Sequence, residues 1–347
     1  MITKQTTDII LLDCTLRDGG YINNWIFGRK NIQEIVGLIG QSNVEYIEIG
    51  FIKLGKYDQE QAQFSHMNQL SELLYPTNKK LSVMVEIGYN YPVSSFPIKS
   101  DETADMVRVI LWKRLKNECF EYCKELIKKG YQVCVQLTRT DQYTTEEFTN
   151  FIKIFNQIEL YGLYIVDTFG VFTKDMLFKY FDIADDILNQ NIALGYHSHN
   201  NMQQSFANAS ALTEVKRNHT LMIDASILGI GRGAGNLHLE LFMKYLNEKH
   251  GKNYNIVPIL EAANDYIIPI YEKNPWGYSI LYYLSAINNI NPSYVNYIKD
   301  KNFTVHQIDQ LFKKMSQDGV NIVYDENAID KIIDNEINKD ESSRLHC

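Results

Sequence analysis

Eight runs of β-branched and aliphatic residues recur along the first two thirds of the chain: "DIILLDCT", "VEYIEIGF", "LSVMVEIGY", "DMVRVILW", "YQVCVQLT", "LYIVDTFG", "IALGYHSH" and "LMIDASIL". Such runs read as buried strands. Their starts are spaced by roughly 25 to 37 residues, which leaves room for one helix and two loops between strands. Amphipathic stretches fill several of these gaps, among them "NIQEIVGLIGQ" and "NECFEYCKELIKKG", the second closed by a glycine. "TTEEFTNFIKIF" and "TKDMLFKYFDIADDIL" each open on a threonine that can cap a helix. Eight strand–helix units in about 250 residues predict an α/β protein of the (β/α)8 TIM-barrel class rather than a doubly wound open sheet. The rhythm stops near residue 250. Beyond it, "NIVPILEAANDYIIPIYEKN", "WGYSILYYLSAINNI", "PSYVNYIKDKN", "TVHQIDQLFKKMSQDG" and "ENAIDKIIDNEINK" read as helices separated by Pro, Asn and Gly. The expected organisation is a barrel over residues 1–250 and a helical region over 251–347, covering the barrel or mediating association.

Composition narrows the partners. The 347 residues are 45% hydrophobic and carry a formal charge of −8, a poor basis for gripping nucleic acid or an anionic membrane surface. A small-molecule substrate is expected, with neither nucleic acid nor membrane as partner. The first twelve residues lack the pattern of a secretory leader, and no run is long enough to span a bilayer, so a cytoplasmic location is expected. The five cysteines include no CxxC pair, which argues against a disulfide framework and a structural zinc site.

The strand ends carry the chemistry. In barrels of this class the active site lies at the carboxyl ends of the strands, and the first run leads straight into Arg17 and Asp18. The seventh ends in "GYHSHNN", where His197 and His199, two apart on a strand, point the same way. Two imidazoles and the Asp18 carboxylate form a ligand set for a divalent cation, with positions left open for substrate. Without thiolate, the set suits Mn2+ or Mg2+ first and is compatible with Co2+ or Zn2+. After the eighth strand, "GIGRGAGN" satisfies a loose dinucleotide pattern but opens no further strand–helix unit. Its glycines let backbone approach a ligand or the first strand's loop, and Asn236 is placed to reach into the site.

Taken together, "DCTLRDGG", "IEIG", "VDTFG", "HSHNN" and "GIGRGAGNLHLE" resemble the HMG-CoA-lyase-like superfamily of metal-dependent TIM barrels, the DRE-TIM metallolyases, and most closely its 4-hydroxy-2-oxovalerate aldolase branch. The resemblance runs over about residues 8 to 245. It implies a divalent metal on Asp18, His197 and His199, an Arg17 contact to the substrate's keto oxygen, and a Thr168 hydroxyl on the substrate carboxylate. The implied reaction cleaves a 4-hydroxy-2-oxo acid to pyruvate and an aldehyde, or runs the reverse, through a metal-stabilised enolate.

Position 21 departs from that pattern. The aldolases carry a catalytic histidine after the Arg-Asp-Gly motif, whereas this chain has Tyr21; Tyr21 acts as the base, a metal-bound water replaces it, or the substrate differs. "GYSILYYLSA" resembles the segment holding the aldolases' catalytic tyrosine, which makes Tyr278 or Tyr282 a candidate to enter the site; an aromatic stripe in a helical core is the structural alternative. The same resemblance implies an acylating aldehyde dehydrogenase as partner and leaves a homo-oligomer open. Alternatives are an acyl-CoA lyase, a Claisen-type acyltransferase and a non-catalytic structural barrel. The lyases carry a cysteine in the glycine-rich loop, and residues 229–236 have none. The synthases usually carry a longer C-terminal extension.

Overall fold

The computed structural model describes residues 8–73, 79–87 and 91–334. Eight parallel strands close into a barrel: β1 (Ile9–Asp13), β2 (Tyr46–Ile52), β3 (Lys80–Glu86), β4 (Met106–Leu111), β5 (Gln132–Leu137), β6 (Gly162–Asp167), β7 (Ala193–Ser198) and β8 (Leu221–Ala225). Closure is made by β1, which pairs with β2 through Leu12 opposite Tyr46 and with β8 through Asp13 opposite Ala225. A two-residue strand, Gln63–Phe64, adds to the outer edge of β2 opposite Phe51 and Ile52. Every residue of β2, β4, β6, β7 and β8 is buried. Runs that are buried throughout, rather than on alternate residues, follow from helices covering the outside while side chains fill the inside. Of the third strand candidate, Gly88 and Tyr89 lie outside the described residues, as do Cys347 and residues 335–339 of the last helical candidate.

Helices 145–155 and 174–187 begin where their threonines predict. Thr144 accepts from Glu147 N at 3.2 Å while the Glu147 carboxylate accepts from Thr144 N at 2.9 Å, a reciprocal cap. Thr173 accepts from Met176 N at 3.3 Å. One strand–helix unit differs from the expected rhythm. Between β3 and β4 the described residues hold only a single 3-10 turn, Val93–Ser95, because Pro92 and Pro97 bracket the segment and exclude a continuous helix. An aromatic plug stands in for the helix: Phe96 packs edge-on against Tyr91, Tyr122 and Tyr131 with ring centroids 5.2, 6.3 and 5.9 Å away.

Two further apolar groupings matter for the site. Inside the barrel, Leu12, Tyr46, Met106, Cys134, Tyr164 and Met222 form a packed layer. Beyond the barrel, Ile259, Ala262, Ile267 and Trp276 join the main core, whereas Leu284, Ile290, Tyr294, Phe312, Met315 and Ile329 build a separate cluster under helices 280–287, 293–298 and 305–317. Among the described residues no helix is long and apolar enough to cross a membrane.

Candidate metal centre and active site

Arg17 and Asp18 do not end β1 but lie just beyond it, on a single helical turn, Thr15–Asp18. The turn is anchored because the Asp13 carboxylate accepts from Thr15 N at 3.1 Å and from the Thr15 hydroxyl at 2.6 Å, and Thr15 Oγ1 in turn accepts from Ile227 N at 2.9 Å. From it, the Asp18 carboxylate is aimed at the end of β7. Ligand atoms of Asp18, His197 and His199, all buried, lie within 4.8 Å of one another.

The surroundings prepare these groups to hold a cation. His197 Nδ1 is 2.9 Å from Asp224 Oδ2, and His199 Nδ1 is 3.1 Å from the Arg232 carbonyl oxygen. With each Nδ1–H given to an oxygen, each Nε2 lone pair remains for a metal, the usual way an outer partner sets the ligating tautomer. Burial pushes His199 down to about 3, with Asp18 acting in the opposite direction. Burial opposes ionisation of Asp18, but the Arg17 guanidinium and the two imidazoles outweigh it and hold the carboxyl well below its usual range. A neutral imidazole and an ionised carboxylate are the forms that ligate. The donor set therefore fits a divalent ion.

Beneath the triad runs a chain of buried ions. Glu48 Oε2 accepts from Arg17 Nε at 2.7 Å and from Arg108 Nη1 at 2.8 Å; Arg108 Nη2 donates to Asp224 Oδ2, the same oxygen that receives His197. Arg108 lies 4.3 Å from the centroid of the Tyr164 ring and is fully buried. Unpaired, such charges would be costly in a barrel interior; linked, they fix Arg17 at one end and His197 at the other. Sequence reasoning missed Glu48, Arg108 and Asp224. Their signal was available: each is a lone charge inside an otherwise apolar strand, "YIEIGFI", "MVRVIL" and "LMIDA", and the three have complementary signs.

Arg17 also donates through Nη1 to Asp18 Oδ1. Its remaining nitrogen, Nη2, is buried without a hydrogen-bond partner among the described residues. A buried donor left open beside a ligand triad is where a substrate oxygen would be received. Asn236 Nδ2 donates to Asp18 Oδ2 at 2.6 Å. The glycine-rich loop makes this approach feasible: a Cβ at Gly231 would lie 2.3 Å from Asn236 Nδ2 and 2.6 Å from Asp18 Oδ2. Thr168 follows β6, and its Oγ1 accepts from Arg139 N at 2.7 Å, which leaves the hydroxyl proton to be donated.

The three tyrosine candidates sit differently. Tyr21 lines a cavity at the barrel mouth, packs against Trp25 and lies under Arg232, whose guanidinium carbon is 5.7 Å from its ring centroid. The residue is 39% exposed into that opening, yet loss of hydration around the hydroxyl pushes the phenol up to about 12, with Arg232 acting in the opposite direction. Tyr278 is 61% exposed, just before helix 280–287. Tyr282 is the better enclosed of the pair: burial raises its phenol and Arg232 opposes the rise.

Comparison with known proteins supplies the family. The HMGL-like family profile matches residues 8–265. An oxaloacetate decarboxylase of Mycobacterium tuberculosis is 22% identical over 286 residues, covering 81% of this chain and 82% of that one. A 4-hydroxy-2-oxovalerate aldolase of Geobacillus genomosp. 3 is 24% identical over 294 residues, covering 76% and 78%. Among solved structures, the N-terminal domain of an aldolase-like protein from Bacteroides vulgatus matches with a TM-score of 0.69 at 25% identity, covering 84% of this chain and 97% of that one. The HMG-CoA lyase of Brucella melitensis shares the fold, with a TM-score of 0.61 at 13% identity over 77% of this chain and 99% of that one. A profile matched from the start of β1 to beyond the last barrel strand makes the chain a member of the HMGL-like family.

Proposed function

We propose that this protein is a divalent-metal-dependent carbon–carbon lyase acting on a 2-oxo acid, and that its reaction is cleavage of a 4-hydroxy-2-oxo acid to pyruvate and an aldehyde. The observation that carries the reading is the open Arg17 Nη2 beside the Asp18, His197 and His199 cluster. Those three side chains would hold the ion, which when bound supplies a Lewis acid for the substrate's carboxylate and keto oxygens.

The chain's own residues do the rest. Arg17 Nη2 donates to the keto oxygen and strengthens that bond as the oxygen gains charge, while Glu48 prevents the guanidinium from turning away. Thr168 donates its hydroxyl proton to the substrate carboxylate. In the cleavage direction the C4 hydroxyl loses its proton to a base, the C3–C4 bond pair moves to C3, and the enolate so formed takes a proton at C3 to become pyruvate. Tyr21, with its phenol raised to about 12, is protonated at neutral pH and serves in this reading as a hydrogen-bond donor at the C4 oxygen rather than as the base.

A second reading is favoured by the same tyrosine. Decarboxylation of a 2-oxo acid bearing a C4 carboxylate, as in the reaction named for the Mycobacterium tuberculosis relative, places the same electron pair on C3 with loss of CO2 and has no hydroxyl proton to remove. Incubating the Mn2+-loaded protein with a panel of 4-hydroxy-2-oxo acids and with oxaloacetate, and measuring pyruvate, aldehyde and CO2, separates the two. Pyruvate with equimolar aldehyde is the expected result. Pyruvate from oxaloacetate alone moves the assignment to the decarboxylase, and pyruvate from neither overturns both.

A further inference from the structure

The cavity beside Tyr21 bears on the half of the substrate that is not pyruvate. It measures about 390 Å3, within the roughly 300–1,000 Å3 range of small-molecule pockets. It lies directly against the reacting end of the site: Phe51, part of its wall, has its ring centroid 6.0 Å from the Arg17 guanidinium carbon, and Trp25, another part, donates from Nε1 to the Arg17 carbonyl oxygen at 2.7 Å. A substrate with its keto oxygen on Arg17 would extend its C4 substituent into this space.

The walls are of two kinds. Tyr21, Trp25 and Phe51 form an edge-to-face trio with centroid separations of 4.8, 5.6 and 6.4 Å, a rigid surface suited to packing against C–H groups. Glu86, Gln63 and Lys53 supply the polar part of the lining, which Ile52, Leu54 and Tyr91 complete. Glu86 Oε1 accepts from Trp112 Nε1 at 2.6 Å, which fixes the carboxylate, while Oε2 takes no hydrogen bond among the described residues. An alkyl chain in this space would strip water from Glu86 and Gln63 and return no hydrogen bond. The Glu86 carboxylate and the Lys53 ammonium offset each other, so the wall carries no net charge that would select an anionic or a cationic tail. A single methyl group would leave most of the volume empty.

We propose, building on the aldolase reading, that this cavity is the subsite for the aldehyde portion and that it takes a polyhydroxylated chain of at least four carbons. C–H faces of that chain lie on the aromatic trio, and its hydroxyls donate to Glu86, exchange hydrogen bonds with Gln63 and accept from Lys53. A site with an anchored carboxylate gains from each hydroxyl donor and rejects the analogue that lacks it.

The test runs the full-length, Mn2+-loaded protein in the addition direction, with pyruvate plus acetaldehyde, butanal or D-erythrose, and follows pyruvate consumption. The expected result is a kcat/KM for D-erythrose at least about tenfold above that for butanal of equal carbon number, with the ratio collapsing in Glu86→Ala and partly restored in Glu86→Gln. Butanal or acetaldehyde used as well as D-erythrose overturns the subsite and leaves the aldolase reading standing. If none of the three aldehydes, acetaldehyde included, is consumed, the aldolase reading is what fails. The subsite is then decided by saturation-transfer NMR with erythritol: transfer to wild type that disappears in Glu86→Ala upholds it, and no transfer to wild type overturns it.

Discussion

In the proposed reaction Arg17 offers the substrate its Nη2 amino group, and that offer depends on the planar fork: Nε is held by Glu48, Nη1 by Asp18, and Nη2 is left over among the described residues. A lysine has no fork: its three donors radiate from one nitrogen and cannot span partners placed around three separate guanidinium nitrogens. Arg17→Lys is expected to keep the metal, because Asp18 and both histidines remain, yet to lose about two to three orders of magnitude in kcat. Turnover of the variant near that of wild type would remove Arg17 from the chemistry. A second residue reports on the fold rather than the reaction. Burial pushes the Asp13 carboxyl up to about 7 from an ordinary 3.8, against hydrogen bonds from Thr15. The native protein thus keeps this proton to higher pH than the unfolded chain does, and the group's contribution to stability falls as pH rises from about 4 to about 7, then levels off. Asp13→Asn removes that titration. Relative to the variant, wild type should lose up to about 4 kcal/mol across the window, as read by urea unfolding near pH 4.5 and pH 7.5; a pH-independent difference contradicts the assignment.

At the scale of elements, the eight strands were legible because each is a short run of apolar residues with little competing helical periodicity, and the threonine caps marked two helices directly. The gap after β3 was not read correctly. Its length fitted a helix, but Pro92 and Pro97 decided the local structure, and length carries no information about backbone N–H groups that are missing. The ionic chain under the site was hidden for a different reason: Glu48, Arg108 and Asp224 lie far apart in sequence, and only strand register brings them together. The glycine-rich loop is where an element-level prediction is sharpest. Because a Cβ at Gly231 would collide with Asn236 and Asp18, Gly231→Ala should displace the Asp18 carboxylate and lower divalent-metal affinity by about tenfold or more while the barrel stays folded. Metal titration with circular dichroism on the same sample checks it, and unchanged affinity contradicts the close packing described here.

For the whole molecule, the order of strand and helix signals predicted the barrel, and the loss of that rhythm marked where the character of the chain changes. What the rhythm could not convey is which core each later helix joins. Ile259, Ala262, Ile267 and Trp276 pack with the barrel, whereas Leu284 through Ile333 pack among themselves. Two arginines from the barrel mouth bridge the groups. Arg139 Nη2 donates to Asn289 Oδ1 at 2.8 Å, and Arg232 Nη2 donates to Asn291 and, at 3.1 Å, to Ser293. Combined Asn289→Ala and Asn291→Ala substitution is expected to speed hydrogen exchange across residues 284–317 while leaving the amides of β4–β8 unchanged. Equal acceleration in both regions would show a single cooperative unit instead.

The proposed chemistry requires Asp18, His197 and His199 to form one cation site. The most direct measurement titrates metal-stripped protein with Mn2+ by calorimetry, for wild type and for Asp18→Asn, His197→Ala and His199→Ala, with circular dichroism to confirm that each remains folded. The prediction is one site per chain in wild type, lost in each of the three variants. Unchanged stoichiometry and affinity in all three would contradict it.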